Sequence, residues 1–153
     1  MTDAKGGERS LEGNGRKNSA MHLLHRAGQF ANDIFALEAG HCDLTPRQFT
    51  VLLTAAKDEG LTQTELVDRT GIDRSTLADI VSRLQSRGLI RRRKAKRDGR
   101  AYEIKLTEAG WRSLRQTEPC AAAADARLLS RLPPAKRQEF LEFLSLIVDG
   151  EGE

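Results

Sequence analysis

TQTELVDRTGIDRSTLADIVSRLQSRGLIRRRKAKRDGRAYEIKLTEAG, residues 62–110, decides the fold of this chain. Thr62 caps a short helix and Glu65 follows three residues on, the pairing of a capping box, with Leu66 and Val67 on the buried side. Gly71 makes a turn, Ile72 plugs the core, and Asp73 caps a second helix that runs from about Arg74 to Arg87 and stops at Gly88. Within that helix Leu77, Ile80, Val81 and Leu84 fall at i, i+3, i+4 and i+7 and form one buried stripe. Two β-prone runs follow, Leu89–Ala95 and Ala101–Leu106. The second alternates, with Tyr102, Ile104 and Leu106 inward and Glu103 and Lys105 outward. Lys96-Arg97-Asp98-Gly99-Arg100 forms the tip between them. Helix, turn, helix and basic hairpin is the order of a winged helix-turn-helix, a mainly α fold with a small β-hairpin wing.

The face opposite the buried stripe presents Ser75, Asp79, Ser82 and Ser86, with Thr76 and Arg83 on its flank. Small polar side chains let a helix approach the floor of the DNA major groove without steric bulk, and Arg83 can fork onto guanine. A hairpin tip crowded with Lys96, Arg97 and Arg100 is costly unless something anionic receives it. Arg100 can enter an adjacent minor groove, where narrow A·T-rich stretches attract guanidinium, and Asp98 is close enough to orient it. With Thr62, Gln63 and Arg74 at the helix starts, these residues make the candidate DNA-binding set, and double-stranded DNA is the expected partner.

Charge agrees with that reading. Residues 61–106 carry 12 Lys+Arg against 6 Asp+Glu, a net of +6, whereas the remainder carries 13 against 16. A basic block inside a slightly acidic chain is the footprint of a phosphate-binding surface.

Residues 1–19 are polar, with a single Leu, and read as a flexible tail. From Ala20 to about Ala39, apolar residues such as Leu23, Leu24, Phe30, Ile34 and Phe35 recur at helical spacing, and Gly40 closes the run. Thr45-Pro46 starts another helix, with Phe49, Leu52, Leu53 and Ala56 on its core side. Thr107 caps a long helix that continues through the alanine run to Leu132, with a kink expected at Pro119 and a break at Pro133-Pro134. A last helix carries Phe140, Leu141, Phe143, Leu144, Ile147 and Val148. A wing module needs far fewer residues than this, so helices 20–39 and 107–148 read as a dimerisation region around a DNA-binding lobe at 45–106. The whole forms a single domain at 20–148, and residues 149–153 are a tail.

Other function classes find little here. No hydrophobic run approaches the ~20 residues that span a bilayer, and the first residues lack the apolar stretch of a signal peptide. A cytoplasmic protein without membrane partners is expected. Cys42 and Cys120, far apart in the chain, do not make a disulfide framework or a metal site. No Gly-rich phosphate loop, metal-ligand cluster or nucleophile–base set stands out, so neither an enzyme nor a cofactor is expected.

At this point the residues resemble a known family. LTPRQFTVL (44–52), ELVDRTGIDRSTLADIVSRLQSRGLI (65–90), DGRA (98–101) and LTEAG (106–110) are similar to the MarR family of bacterial transcriptional regulators. The resemblance covers about residues 20–148. It implies a triangular homodimer on a pseudo-palindromic operator, the 74–87 helices one DNA turn apart at roughly 34 Å, and Arg100 of each wing in the minor groove. It also implies repression relieved by a small phenolic or aromatic acid in a cleft between the dimerisation helices and the DNA lobe. The stretch HLLHRAGQ…FALEAG…LTPRQF is similar to members that respond to aromatic acids or their coenzyme A thioesters. His22, His25, Arg26 and Arg47 are the candidate ligand residues, Arg for a carboxylate or acyl group and His for a phenol proton. Two alternatives stay open. One is a redox sensor through Cys42, although the family's redox variant carries its cysteine in the first helix. The other is a winged-helix interaction module that has lost DNA reading, which should have lost the cationic tip as well.

Overall fold

The computed structural model describes residues 19–96 and 99–150. In chain order it holds α1 (Ala20–Glu38), α2 (Pro46–Lys57), α3 (Gln63–Thr70), α4 (Arg74–Ser86), β1 (Ile90–Lys94), β2 (Tyr102–Leu106), α5 (Glu108–Leu129), a short 3-10 turn (Pro134–Lys136) and α6 (Arg137–Asp149). The mainly helical winged helix-turn-helix expected from the sequence is the fold observed.

Local chemistry sets the element boundaries. Thr62 and Glu65 close a reciprocal capping box on α3, and Thr45 and Gln48 close a second on α2, behind Pro46. Gly71 ends α3 at φ 66°, a left-handed conformation that glycine adopts without a Cβ penalty. Asp73 then caps α4 by accepting the Thr76 amide at 2.9 Å.

β1 and β2 pair antiparallel, Ile90 opposite Leu106 and Arg92 opposite Ile104. A short third partner joins them: the Ile104 amide donates to the Leu61 carbonyl at 2.8 Å, and Thr62 bridges to Glu103. The wing is thereby tied to the start of α3. The core lies between this sheet and α2–α5, where Val51, Leu52, Leu66, Leu77, Val81, Leu84, Ile104 and Leu114 are fully buried.

The Leu-Thr-Glu-Ala-Gly segment welds α5 to the wing. The Thr107 hydroxyl accepts from the Gly110 amide at 3.1 Å and donates to the Gly88 carbonyl at 2.6 Å. The Thr107 amide donates to the Leu89 carbonyl at 3.0 Å. A Cβ on Gly110 would stand 2.0 Å from that same carbonyl oxygen, so the helix can cross there only because residue 110 has no side chain.

Several expectations need correction. Tyr102 is 49% exposed, because β2 buries Ile104 and Leu106 but runs past the core before reaching Tyr102. α1 does end just before Gly40, with Ala39 as its cap, and a Cβ on Gly40 would lie 2.9 Å from the Ala36 carbonyl oxygen. α5 ends at Leu129 rather than Leu132, and tighter turns from Arg131 to Leu128 and from Leu132 to Leu129 take over there.

Candidate nucleic-acid interface

α4 turns its stripe inward as its spacing requires, and Arg74, Ser75, Asp79, Ser82, Arg83 and Ser86 are all exposed, with Thr76 half-buried. Much of this polar face is already ordered by bonds within the chain. Asp79 accepts from the Arg83 Nε at 2.8 Å, Ser86 donates to the Ser82 carbonyl at 2.9 Å, and Ser75 donates to Asp73 at 2.8 Å. Hydrogen bonds from the Thr76 side chain and amide, and then from Ser75, hold the Asp73 carboxyl at a pKa of about 2, below its ordinary 3.8. The helix start is thus fixed by an ionised cap, and Arg83 is held by a neighbour one turn away.

The wing carries more cation than its tip alone. Arg91, Arg92, Arg93 and Lys94 are exposed along β1, and Lys96 and Arg100 are exposed beyond it. Arg92 donates to the Gln63 side chain at 3.3 Å, which joins the wing to the first turn of α3. A recess of about 200 Å³ at that junction is lined by Thr62, Gln63, Thr64, Arg92, Ala101, Tyr102 and Ile104. Thr62 spends its hydroxyl on Glu65, accepting from its amide and donating to its carboxylate at 2.9 Å. Arg97 and Asp98, and with them the expected Asp98–Arg100 contact, lie outside the described residues.

Arg91, Arg92, Arg93 and Lys94 were missing from the residues expected from the sequence, although the run Ile-Arg-Arg-Arg-Lys was itself the signal. Arg87 was missing too. It caps the C-terminal end of α4 and donates to the Asp43 carbonyl at 2.7 Å, a contact across 44 residues that spacing does not reveal. An exposed polar helix face, a cationic strand and a cationic loop make a surface that phosphate and base edges can both address.

Comparison with known proteins identifies the family. Residues 43–101 match the model of the MarR family. The HTH-type transcriptional repressor NicR of Pseudomonas putida is 34% identical over 131 residues, 85% of this chain and 82% of that protein. The chain belongs to the MarR family. As a member it is a winged-helix, DNA-binding regulator of transcription. Among solved structures, Bordetella bronchiseptica BpsR, described with regulation of its DNA binding by 6-hydroxynicotinic acid, superposes at a TM-score of 0.83 and 27% identity, covering 88% of this chain and 96% of that one. The repressor CouR bound to a 23-mer DNA duplex superposes at 0.81 and 28% identity, covering 92% and 99%. No helix among the described residues of this family member is long and apolar enough to cross a membrane.

The four candidate ligand residues do not converge visibly in one chain. His22, His25 and Arg26 lie exposed within one turn of α1. Arg47 is exposed in the first turn of α2, at the start of the DNA lobe. No hydrogen bond or ion pair among the described residues joins it to the α1 group.

The cysteines overturn the expectation that they are too far apart to share a site. Where the α1–α2 loop passes α5, the Cys42 and Cys120 sulfurs are 3.4 Å apart, and the His41 Nε2 is 3.5 Å from the Cys120 sulfur. Both cysteines are free thiols. The hydrogen bond with Cys42, then burial, then the charges of Cys42 and Glu38 push the Cys120 thiol pKa up. Sequence spacing gave no hint of this, because the three residues meet only when α1 packs on α5.

Proposed function

We propose that this chain is a homodimeric repressor that reads a pseudo-palindromic operator and lets go of it when a hydroxylated aromatic monocarboxylic acid, free or as its coenzyme A thioester, binds. The observation that carries the reading is the exposed, small-residue polar face of α4 beside a wing whose strand and tip are cationic. In this proposal Ser75, Thr76, Asp79, Ser82, Arg83 and Ser86 face the major groove. Arg74, Thr62, Gln63, Lys96 and Arg97 meet the backbone, and Arg100, with Asp98, probes the minor groove.

The DNA lobe spans 45–106, and helices 20–39 and 107–148 form the dimer. Support for the dimer comes from unsatisfied apolar surface at those ends: α6 buries none of its residues, Val148 is 78% exposed, and Met21 on α1 is 68% exposed. Such surface on two terminal helices calls for a partner, and a second copy with the same two helices is self-complementary. Support for the effector class comes from BpsR, whose DNA binding is described as regulated by 6-hydroxynicotinic acid. Arg26 and Arg47 offer guanidinium to the carboxylate, and His22 and His25 accept the ring hydroxyl's proton.

Fluorescence anisotropy against the protein's own promoter tests the whole reading. Two chains should bind per duplex, affinity should fall steeply with salt, and 6-hydroxynicotinate, p-coumarate or p-coumaroyl-coenzyme A should release the DNA. Salt-independent or absent binding would refute the DNA reading. Binding by single chains would refute the dimer, and indifference to all three compounds would refute the effector class.

A further inference from the structure

The loop between α1 and α2 crosses α5 at three donor atoms that DNA reading leaves unused. Cys120, on the inner side of α5, is 9% exposed, Cys42 is half-buried, and His41 is exposed at the mouth. An imidazole nitrogen of His41, the Cys42 sulfur and the Cys120 sulfur all lie within 4.8 Å of one another. Around a tetrahedral zinc ion with Zn–S near 2.3 Å and Zn–N near 2.0–2.1 Å, neighbouring donors stand roughly 3.5–3.8 Å apart. The sulfur–sulfur separation of 3.4 Å and the sulfur–nitrogen separation of 3.5 Å are already close to those edges.

We propose that His41, Cys42 and Cys120 form a binding site for a thiophilic divalent cation, zinc above all, with the fourth coordination position open at the exposed His41 side. Two thiolates and one neutral imidazole are the ligand types that borderline-soft zinc selects over magnesium or calcium, which want oxygen. A redox pair would use the two sulfurs with the imidazole as base to Cys120, whereas a cation takes all three donors as ligands at once. Both sulfurs also lie within long hydrogen-bond reach of one acceptor, the Gln116 carbonyl, at 3.7 Å and 3.8 Å, and a bound cation would displace the protons that these contacts share.

The position gives the cation a mechanical consequence. It would pin the 41–42 loop to α5, on the seam where Arg127 of α5 already pairs with Glu38 of α1 at 2.8 Å. The next residue, Asp43, holds Arg87 at the end of α4 through its carbonyl at 2.7 Å. Metal binding at this site therefore acts on the seat of the recognition helix as well as on the helix seam.

Cobalt(II) is the probe. Untagged full-length protein, stripped with chelator and kept reduced, is titrated with Co²⁺. The expected result is a sulfur-to-cobalt charge-transfer absorption with tetrahedral ligand-field bands, saturating at one Co²⁺ per chain and displaced by Zn²⁺. Cys42→Ser and Cys120→Ser should each lose most of the charge-transfer intensity, and His41→Ala should weaken binding by at least roughly tenfold. Zn²⁺ should raise the thermal midpoint of wild type and leave that of Cys42→Ser unchanged. Cys42 is only half-buried, so its serine variant keeps the test decisive even where Cys120→Ser folds poorly. Absence of the charge-transfer band in reduced wild type would overturn the site, as would its persistence in both cysteine variants. Formation of a Cys42–Cys120 disulfide under mild oxidant in protein that binds no Co²⁺ would replace it with a redox pair. Every one of these readouts is independent of operator binding, so failure here leaves the DNA reading standing.

Discussion

Gly110→Ala tests the weld between α5 and the wing. An alanine Cβ at this position would sit 2.0 Å from the Leu89 carbonyl oxygen, 3.0 Å from its carbon and 3.4 Å from the Leu106 Cβ. Atoms of this kind do not approach within 3.0 Å, so α5 and the β1 start must part by at least 1 Å. Both sides are backbone, and no side chain can swing away. The parting also stretches the Thr107 amide bond to Leu89 at 3.0 Å and the Thr107 hydroxyl bond to Gly88 at 2.6 Å. Overpacking at the upper end of its range costs about 3 kcal/mol. A weakened hydrogen bond adds about 1 kcal/mol, and the better helix propensity of alanine returns about 1 kcal/mol. The expected net loss is about 3 kcal/mol, a drop in thermal midpoint of roughly 10 °C for a domain of this size. Urea unfolding followed by circular dichroism, at one fixed protein concentration because association adds to apparent stability, measures it. A variant within ~0.5 kcal/mol of wild type would refute the close crossing of α5 over Leu89, since surface-type substitutions fall in that range.

Other perturbations probe the binding surface and the helix caps. Arg100→Ala should weaken operator binding by roughly 1–3 kcal/mol and leave the oligomeric state unchanged; anisotropy equal to wild type would remove Arg100 from the interface. The Asp73 carboxyl, held at about pKa 2 against an ordinary 3.8, contributes stability that is complete above pH 4 and is lost as pH falls toward 2. Asp73→Asn removes that dependence, so the stability difference between wild type and variant should shrink across this window. A difference constant from pH 4 to pH 2 would contradict the ionised cap.

Much of the fold was legible because its signals are local. The α3 capping box, Gly71, the Asp73 cap and the period of Leu77, Ile80, Val81 and Leu84 each depend on residues within two turns of one another, and each stands where the sequence placed it. The polar face of α4 was legible for the same reason: once the buried stripe is fixed, the opposite side is fixed with it. Tyr102 was misjudged because strand alternation says which side a residue faces, not how far along the strand the core extends.

What the sequence by itself determined is the order and type of elements, the family they belong to and the exposed polar face of α4 opposite its buried stripe. Only the tertiary structure decided what comes together over long separations. It set Arg87 against the Asp43 carbonyl, Arg92 against Gln63, and Gly110 under the Leu89 carbonyl. It also gathered His41, Cys42 and Cys120 into one cluster across 78 residues. The physical reason is that caps and periodicity are short-range properties of the chain, whereas these contacts exist only after α1 packs on α5 and the hairpin folds back onto the start of α3.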